Sequence, residues 1–169
     1  VNFGIIYGMS EYGLAEDLHI KPKEAKEFIL NYYAKHKKVE ELMNGLIQTA
    51  RDTGKATTLF GRTRKMFDIN ASNYMVRMRA ERASQNMPLQ GTAADIIKIA
   101  MVNIFDALKS GGYKAKLTMQ VHDELIIDCP KSEEQEVMKL LENEMKNACK
   151  LIVPLEIDVT SSFRWSDGH

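Results

Sequence analysis

Two short apolar segments on either side of a charged turn constrain the fold of this 169-residue chain more than any other feature. Leu117, Met119 and Val121 alternate with polar residues, and a period of two is typical of a β-strand. A turn at residues 122–124 (HDE) then leads into a second apolar segment, residues 125–128. The pattern predicts an antiparallel hairpin with acidic residues at its tip.

Most of the sequence before this hairpin has helical periodicity. Pro22 lies where a helix begins, and Gly54 lies where the following amphipathic stretch ends. Residues 55–67 predict a short hairpin with Gly61 in its turn. Pro88 interrupts a helical pattern rich in Arg and Met, so we expect one helix to end and another to begin there.

The remaining signals predict one more helix and a last strand. Gly111-Gly112 ends the helix that follows Pro88, and Pro130 starts a further helix. Apolar residues then alternate in strand period at Leu155, Ile157 and Val159. The fold class is therefore α+β, with a helical first part and a βαβ-like second part that contains the antiparallel hairpin.

The composition, 44% hydrophobic and 27% charged, is typical of a soluble globular protein. No apolar run approaches the roughly 20 residues of a membrane span, and the first residues have no signal-peptide features. Cys129 and Cys149 form neither a CxxC pattern nor a metal-ligand spacing, which favours reduced thiols in a cytosol-like compartment. Because Val1 stands in place of an initiator Met, we expect a fragment.

The formal net charge of zero argues weakly against nucleic-acid binding, but the charges are unevenly distributed. Between positions 62 and 82 only Asp68 and Glu81 are acidic. A cluster of cations could contact phosphates, and the alternative is a solvated protein face. The cations are Arg62, Arg64, Lys65, Arg77, Arg79 and Arg82.

The tip of the predicted hairpin, QVHDELII, is the sharpest candidate for chemistry. Asp123 and Glu124 are adjacent carboxylates that follow His122, and the turn has none of the Gly or Asn that tight hairpins favour. Carboxylates held at the ends of rigid strands suit Mg²⁺, which prefers hard oxygen ligands. A solvated hairpin tip is the alternative, and the residues alone leave both interpretations open.

Two further segments carry candidate binding residues. Arg82, Asn86 and Gln90 are spaced four apart, but with Pro88 between them we expect them to converge across a bend. The small residues that follow, Gly91, Ala93 and Ala94, permit another backbone to approach closely, although helix packing alone would explain them. At the start of the chain, the rings of NFGIIYG are four apart beside glycines, which suits either a flat ligand or core packing.

The order of four motifs resembles that of the family A DNA polymerases. The motifs are NFGIIYG, FGRTRK, RASQNMPLQGTAAD and QVHDELIID, and the ending VPLEIDVTSSFRW is similar to the last strand of that family. The resemblance covers essentially all of the chain and is nearest to the bacterial DNA polymerase I type. It implies a helical fingers part, residues 1–80, followed by part of a polymerase palm with antiparallel strands and flanking helices, residues 81–169.

The resemblance implies binding roles for five residues. Phe3 would lie by the sugar of the incoming dNTP, and Tyr7 by the templating position. Arg82, Asn86 and Gln90 would contact primer–template DNA, largely from the minor-groove side, where base acceptors are degenerate and pairs of any sequence are checked alike.

The resemblance also implies that His122 lies by the primer terminus and contacts the DNA. Asp123 would be one of two metal-bridging catalytic aspartates, with Glu124 beside it in a supporting role. The family mechanism uses two Mg²⁺ ions, one that activates the primer 3′-hydroxyl and one that holds the triphosphate.

In other respects the chain departs from the family pattern. The basic stretch that grips the triphosphate, the other catalytic aspartate, the thumb and any exonuclease domain are expected upstream, in a missing N-terminal part of the same polymerase. We therefore expect the chain alone to be inactive, with exposed palm surface as a route to self-association. The expected location is the bacterial cytoplasm, at the nucleoid, and the sequence leaves an organellar origin open.

Two other function classes compete with DNA synthesis. One is a DNA-binding module without catalysis. The other is an unrelated metal-dependent phosphohydrolase built on Asp123 and Glu124, for which Asp128 and His19 make a poor additional ligand set. An aspartate-bearing strand upstream in the full-length gene would favour the polymerase.

Overall fold

The structure, a computed structural model, describes residues 2–167. Its elements in chain order are α1 (Asn2–Ile6), α2 (Glu11–Leu18), α3 (Pro22–Lys35), α4 (Lys37–Thr53), β1 (Lys55–Thr57), β2 (Thr63–Lys65), α5 (Tyr74–Ser110), β3 (Lys116–Val121), β4 (Glu124–Asp128), α6 (Glu134–Lys146) and a short 3₁₀ turn (Trp165–Asp167). The chain forms two compact units, one that runs to Thr92 and one that begins at Ala93. The fold is mostly helical with two small antiparallel sheets, so the predicted α+β class is confirmed.

The first unit has two small cores. Leu14, Ala15 and Ala25 bury the contact between α2 and α3. Around α4, the hairpin of β1 and β2 and the first part of α5, the buried residues are Ala50, Ala56, Met66 and Ile69.

The local signals at the ends of these elements act as predicted. Pro22 occupies the first turn of α3, where its missing N–H removes no helical hydrogen bond. Gly54 ends α4 in the left-handed conformation, with φ of 68°. Residues 55–67 contain the expected hairpin, and Gly61 has a φ of 83° in its loop.

The second unit packs the last part of α5, the β3–β4 hairpin and α6 around one core. Its buried members are Ala100, Ile104, Leu108, Ala115, Val137 and Ala148. As predicted, Gly111-Gly112 ends α5, and Gly112 has a φ of 69°. Cys129 and Cys149 are free thiols, both half-buried. Burial, followed by the nearby Glu133, raises the pKa of Cys129 above its ordinary value.

The predicted helix break at Pro88 is wrong. Helix α5 is continuous over 37 residues with Pro88 inside it. Proline in a helix interior costs about 3 kcal/mol relative to alanine. Here α5 packs into a core on each side of Pro88, through Ala83 in the first unit and Ala100 in the second, and this packing outweighs the local loss.

The predicted last strand and the βαβ-like arrangement are also wrong. Leu155, Ile157 and Val159 are half-buried and alternate with exposed neighbours, as in a strand, yet no strand is formed there. A strand requires a neighbour for its backbone hydrogen bonds. Within residues 2–167, the only sheets are the two hairpins. The helix expected from Pro130 begins instead at Glu134.

Candidate nucleic-acid interface

Helix α5 places three predicted DNA-binding residues on one face. Because the helix is continuous, Arg82, Asn86 and Gln90 stand one turn apart, and each step rotates by only about 40°. Arg82 and Asn86 are half-buried and Gln90 is exposed. The three therefore form a slowly winding row along one side of a continuous helix rather than converging across a bend, which corrects the expectation drawn from Pro88.

Asn86 is the unusual member of this row. Its Oδ1 atom is buried and has no hydrogen-bond partner within residues 2–167. A buried acceptor without a donor destabilises a fold by about 1–3 kcal/mol. The neighbouring Gln85 also carries an amide, but its Nε2 donates to the Met43 carbonyl at 3.5 Å. Asn86 thus presents a buried acceptor atom that no donor within the described residues satisfies.

The predicted nucleotide-binding residues Phe3 and Tyr7 lie at α1. Although α1 ends at Ile6, the Tyr7 N–H still donates to the Phe3 carbonyl at 2.9 Å, which keeps the two residues one helical turn apart. Phe3 is 76% exposed and Tyr7 40% exposed. The Tyr33 hydroxyl donates to the Ile5 carbonyl at 3.4 Å and ties α1 to α3.

The end of α1 lies against α5. Gly8 has a φ of 77°, and a Cβ atom at Gly8 would be 3.2 Å from both Arg82 Cγ and Gln85 Oε1. The first unit therefore brings the Phe3–Tyr7 segment next to Arg82. Met9 occupies the space beside Gly4, so the glycine next to Phe3 does not leave a bare surface.

One cation of the Arg62–Arg82 cluster is used within the fold. Arg77 Nη1 donates to the Ala71 carbonyl at 2.9 Å, and Arg77 Nε lies 3.9 Å from Glu81 Oε1. Glu81 also forms a salt bridge of 2.6 Å with Arg51. Arg64 and Lys65, which lie in the hairpin, are exposed cations of the same cluster. The hairpin is therefore the part of this cluster that is best placed to contact phosphates.

The second unit presents the acidic turn at the tip of the β3–β4 hairpin. Val121 pairs with Glu124, so the turn consists of two residues, His122 and Asp123, and Glu124 opens β4. Asp123 is exposed and Glu124 half-buried. His122 adopts the left-handed conformation, with φ of 51°, and its carbonyl accepts a hydrogen bond from Gln120 Nε2. Two-residue hairpin turns require a positive φ at their first position, so the turn geometry accounts for this conformation.

A bulge at Thr118 interrupts the pairing of the same hairpin. Leu117 pairs with Ile127 but Met119 pairs with Ile126, which leaves Thr118 as the extra residue. Its hydroxyl donates to the Ile126 carbonyl at 3.0 Å. The bulge interrupts the alternation of this strand, and Met119 is 43% exposed although Leu117 and Val121 are half-buried.

Asp123 and Glu124 can hold part of a metal site. Both are hard oxygen donors of the kind Mg²⁺ prefers. In the described residues, no three His, Cys, Asp or Glu side chains are grouped so that they could hold a metal ion. The donor chemistry therefore fits magnesium, but the ligand set needs carboxylates from outside these residues.

Sequence reasoning did not single out Thr58 and Thr92, which join the first hairpin to α5. The Leu59 N–H donates to Thr92 Oγ1 at 2.9 Å. The expectation that Gly91 permits a close approach is supported, although the approaching group is the Thr58 side chain and not a backbone. No sequence signal identifies Thr58 as the partner, because 33 positions separate it from Gly91.

Across residues 2–167, no helix is both long enough and apolar enough to cross a membrane.

The sequence as a whole matches one protein family. Residues 1–167 match the family described as DNA polymerase family A. The chain therefore belongs to this family.

Several relatives of the chain are DNA polymerases I. The chain is 46% identical over 165 residues to a DNA polymerase I of Caldicellulosiruptor bescii, and 44% and 45% identical over 168 residues to those of Streptococcus pneumoniae and Geobacillus stearothermophilus. These matches cover 98–99% of the chain but only 19% of each relative. The chain thus spans about a fifth of the length of these DNA polymerases I.

A solved structure supports the same relationship. The chain is similar to the POL domain of Pol1 from M. smegmatis, in complex with DNA primer-template and dNTP, with a TM-score of 0.88 and 41% identity. The match covers 92% of this chain and 27% of that chain. The fold of the chain is therefore that of part of a DNA polymerase I polymerase domain.

Proposed function

We propose that the chain performs template-directed DNA synthesis as the C-terminal part of a longer DNA polymerase I. The observation that carries the proposal is the similarity to a polymerase domain that was solved with primer-template and dNTP. In this proposal residues 1–80 belong to the fingers and residues 81–169 to the palm. The reaction joins a nucleotide from a dNTP to the primer 3′-hydroxyl.

The first unit would bind primer–template DNA along α5. Arg82, Asn86 and Gln90 form a row one turn apart that could follow the minor groove, where polar side chains can test every correct pair alike. Asn86 supports this role, because its buried Oδ1 atom has no partner within the described chain. The exposed Arg64 and Lys65 of the hairpin would bind backbone phosphates.

The same unit would hold the incoming nucleotide beside the DNA. Phe3 and Tyr7 present two exposed rings one helical turn apart, and each ring offers a flat surface to a sugar or base. The contact of Gly8 with Arg82 supports a nucleotide site next to the DNA site.

The second unit would supply Asp123 and Glu124 to the reaction centre, with His122 at the primer terminus. A two-residue turn between paired strands limits the backbone freedom of Asp123 and would hold it at the tip of the hairpin. The chemistry that magnesium supplies when bound is neutralisation of the triphosphate charge and activation of the primer 3′-hydroxyl. Glu124 opens the adjacent strand and would support the position of Asp123.

The isolated chain would be inactive, because Asp123 and Glu124 are only part of a ligand set and no further group of ligands occurs in residues 2–167. Weak, salt-dependent DNA binding would remain, and the uncovered palm surface would favour self-association. A DNA-binding module without catalysis is the competing function. A bacterial cytoplasmic location follows from the proposed function.

A chimeric polymerase separates these functions. The chain replaces the matching 168-residue segment of the Geobacillus stearothermophilus DNA polymerase I, to which it is 45% identical. We expect template-dependent primer extension with magnesium and four dNTPs, and none from the isolated chain. A folded chimera that binds primer–template but cannot extend it would overturn the proposal in favour of the non-catalytic module.

A further inference from the structure

The loop of the first hairpin contacts α5 immediately after Gln90. The Leu59 N–H donates to Thr92 Oγ1 at 2.9 Å. Gly91 approaches the same loop so closely that a Cβ atom there would lie 2.6 Å from Thr58 Cγ2. We call this pair of interactions the hairpin–helix contact. It joins the hairpin to the helix that carries Arg82, Asn86 and Gln90.

The loop has an internal structure that this contact holds in place. Thr58 is only 5% exposed, its N–H donates to the Arg62 carbonyl at 2.8 Å, and its Oγ1 accepts from the Arg62 N–H at 3.1 Å. The Gly61 N–H donates to the Thr58 carbonyl at 3.0 Å. Because Thr58 organises the loop and also packs on Gly91, displacement of the contact would move the whole hairpin.

The hairpin carries an excess of positive charge. Residues 53–67 contain four cations and no acidic residue. Lys55 and Lys65 are directly opposite each other across the strands, a like-charge pair that is destabilising on its own. Within residues 2–167, none of Lys55, Lys65 and Arg64 forms a salt bridge. An anionic partner would relieve this repulsion.

We propose that Gly91 and Thr92 are positioning residues that fix this basic hairpin for binding to the phosphate backbone of the DNA. The inference rests on the proposed function and adds to it a positioning role for these two residues. Gln90 and Thr92 are two residues apart on one helix, so the row on α5 and the cations of the hairpin keep a fixed spacing. Phosphate contacts set the register of a protein on DNA, and base-edge contacts then act in that register.

The test is a mutant cycle in the complete polymerase, with primer–template affinity measured over a range of salt concentrations. Thr92→Val removes the acceptor at similar volume, and Thr92→Ser keeps it. We expect Thr92→Val to weaken binding about threefold to tenfold and to lower the slope of log Kd against log salt by about one. Thr92→Ser should restore both values.

The same Thr92 variant in a polymerase that lacks the hairpin cations shows whether Thr92 acts through the hairpin. Arg64→Ala with Lys65→Ala removes two exposed cations without disturbing a buried contact. In that background we expect Thr92→Val to change affinity by less than about twofold, because the phosphate contacts it positions are gone. Gly91→Ala, which places a methyl group against Thr58, should behave like Thr92→Val.

The outcomes distinguish the inference from the proposed function. If the unaltered polymerase neither binds nor extends primer–template, the proposed function is wrong and the inference fails with it. If it does both, but Thr92→Val keeps its full effect without Arg64 and Lys65, or leaves the salt slope unchanged, the positioning role alone is wrong. Thermal unfolding of each variant checks that the variant is folded under the binding conditions.

Discussion

Replacement of Asn86 by leucine should separate stability from DNA binding. The side chain is half-buried, and its Oδ1 atom is buried without a hydrogen-bond partner within the described residues. Leucine has a similar volume and no polar atom to desolvate. A buried acceptor without a donor costs about 1–3 kcal/mol, so Asn86→Leu should leave the free energy of unfolding unchanged or raise it by up to about 2 kcal/mol.

The same substitution should weaken binding to primer–template. If Asn86 donates or accepts one hydrogen bond at the DNA, its loss should cost about 0.5–1.5 kcal/mol, which is a twofold to tenfold rise in Kd. The salt slope should not change, because a neutral amide releases no counterions. Denaturant unfolding and equilibrium binding on the complete polymerase measure the two effects.

Gln85→Leu is the matched control. Gln85 is the adjacent half-buried amide, but its Nε2 donates to the Met43 carbonyl, so its loss should destabilise the fold. Changes of opposite sign in the free energy of unfolding of the two variants would support the reasoning. A loss of more than about 1 kcal/mol of stability in Asn86→Leu would show that the amide has a structural partner, and unchanged affinity would remove Asn86 from the DNA site.

Three further predictions concern Pro88, Phe3 and Tyr113. Pro88→Ala should raise the free energy of unfolding by about 1–3 kcal/mol in a denaturant titration, because alanine restores the helical N–H to the Ser84 carbonyl; a loss of stability would mean that α5 depends on the proline. Phe3→Tyr should relax discrimination against dideoxynucleotides, because the added hydroxyl can replace the missing 3′-hydroxyl; an unchanged ratio in a competition assay would mean that Phe3 does not face the sugar. The Tyr113 hydroxyl donates to Glu136 Oε2 at 3.2 Å, which raises the pKa of Tyr113 above its ordinary value of 10.0, so its contribution to stability is present below about pH 10 and lost as the pH rises through the raised pKa. Tyr113→Phe should remove this alkaline loss from the stability–pH curve, and an identical curve would contradict the assignment.

The elements with local start and stop signals could be predicted from the sequence. Pro22 and Gly54 bound their helices because each acts through its own backbone geometry. The two hairpins were predictable for the same reason, since alternation and turn residues lie within a dozen positions.

The elements that depend on distant partners were mispredicted. The local cost of Pro88 is real, but packing on both sides of it decides that α5 continues. Leu155, Ile157 and Val159 keep the alternation of a strand, but a strand also needs a neighbour that the sequence pattern does not specify. Tertiary context overrides local preference in both cases.

The candidate site could be predicted from the sequence only in part. The sequence indicated the acidic turn and the row on α5, because residue type and spacing carry that information. The hairpin–helix contact could not be predicted, since Thr58 meets Gly91 and Leu59 meets Thr92 only through the fold. The contacts of Arg77 differ, because Glu81 is its i,i+4 neighbour on α5 and Ala71 is only six residues away, so this pairing has a local sequence signal.

The central claim is that Asp123 takes part in nucleotide transfer within a longer polymerase. Single-turnover nucleotide incorporation by the complete polymerase with Asp123→Asn tests it most directly, alongside the Kd for primer–template. We predict that incorporation is abolished while the Kd for primer–template changes little, because a neutral amide cannot balance the charge of the Mg²⁺ ions that the reaction would use. Glu124→Gln should reduce incorporation less. Near-normal incorporation by the Asp123→Asn variant would contradict the assignment of the reaction centre to this hairpin.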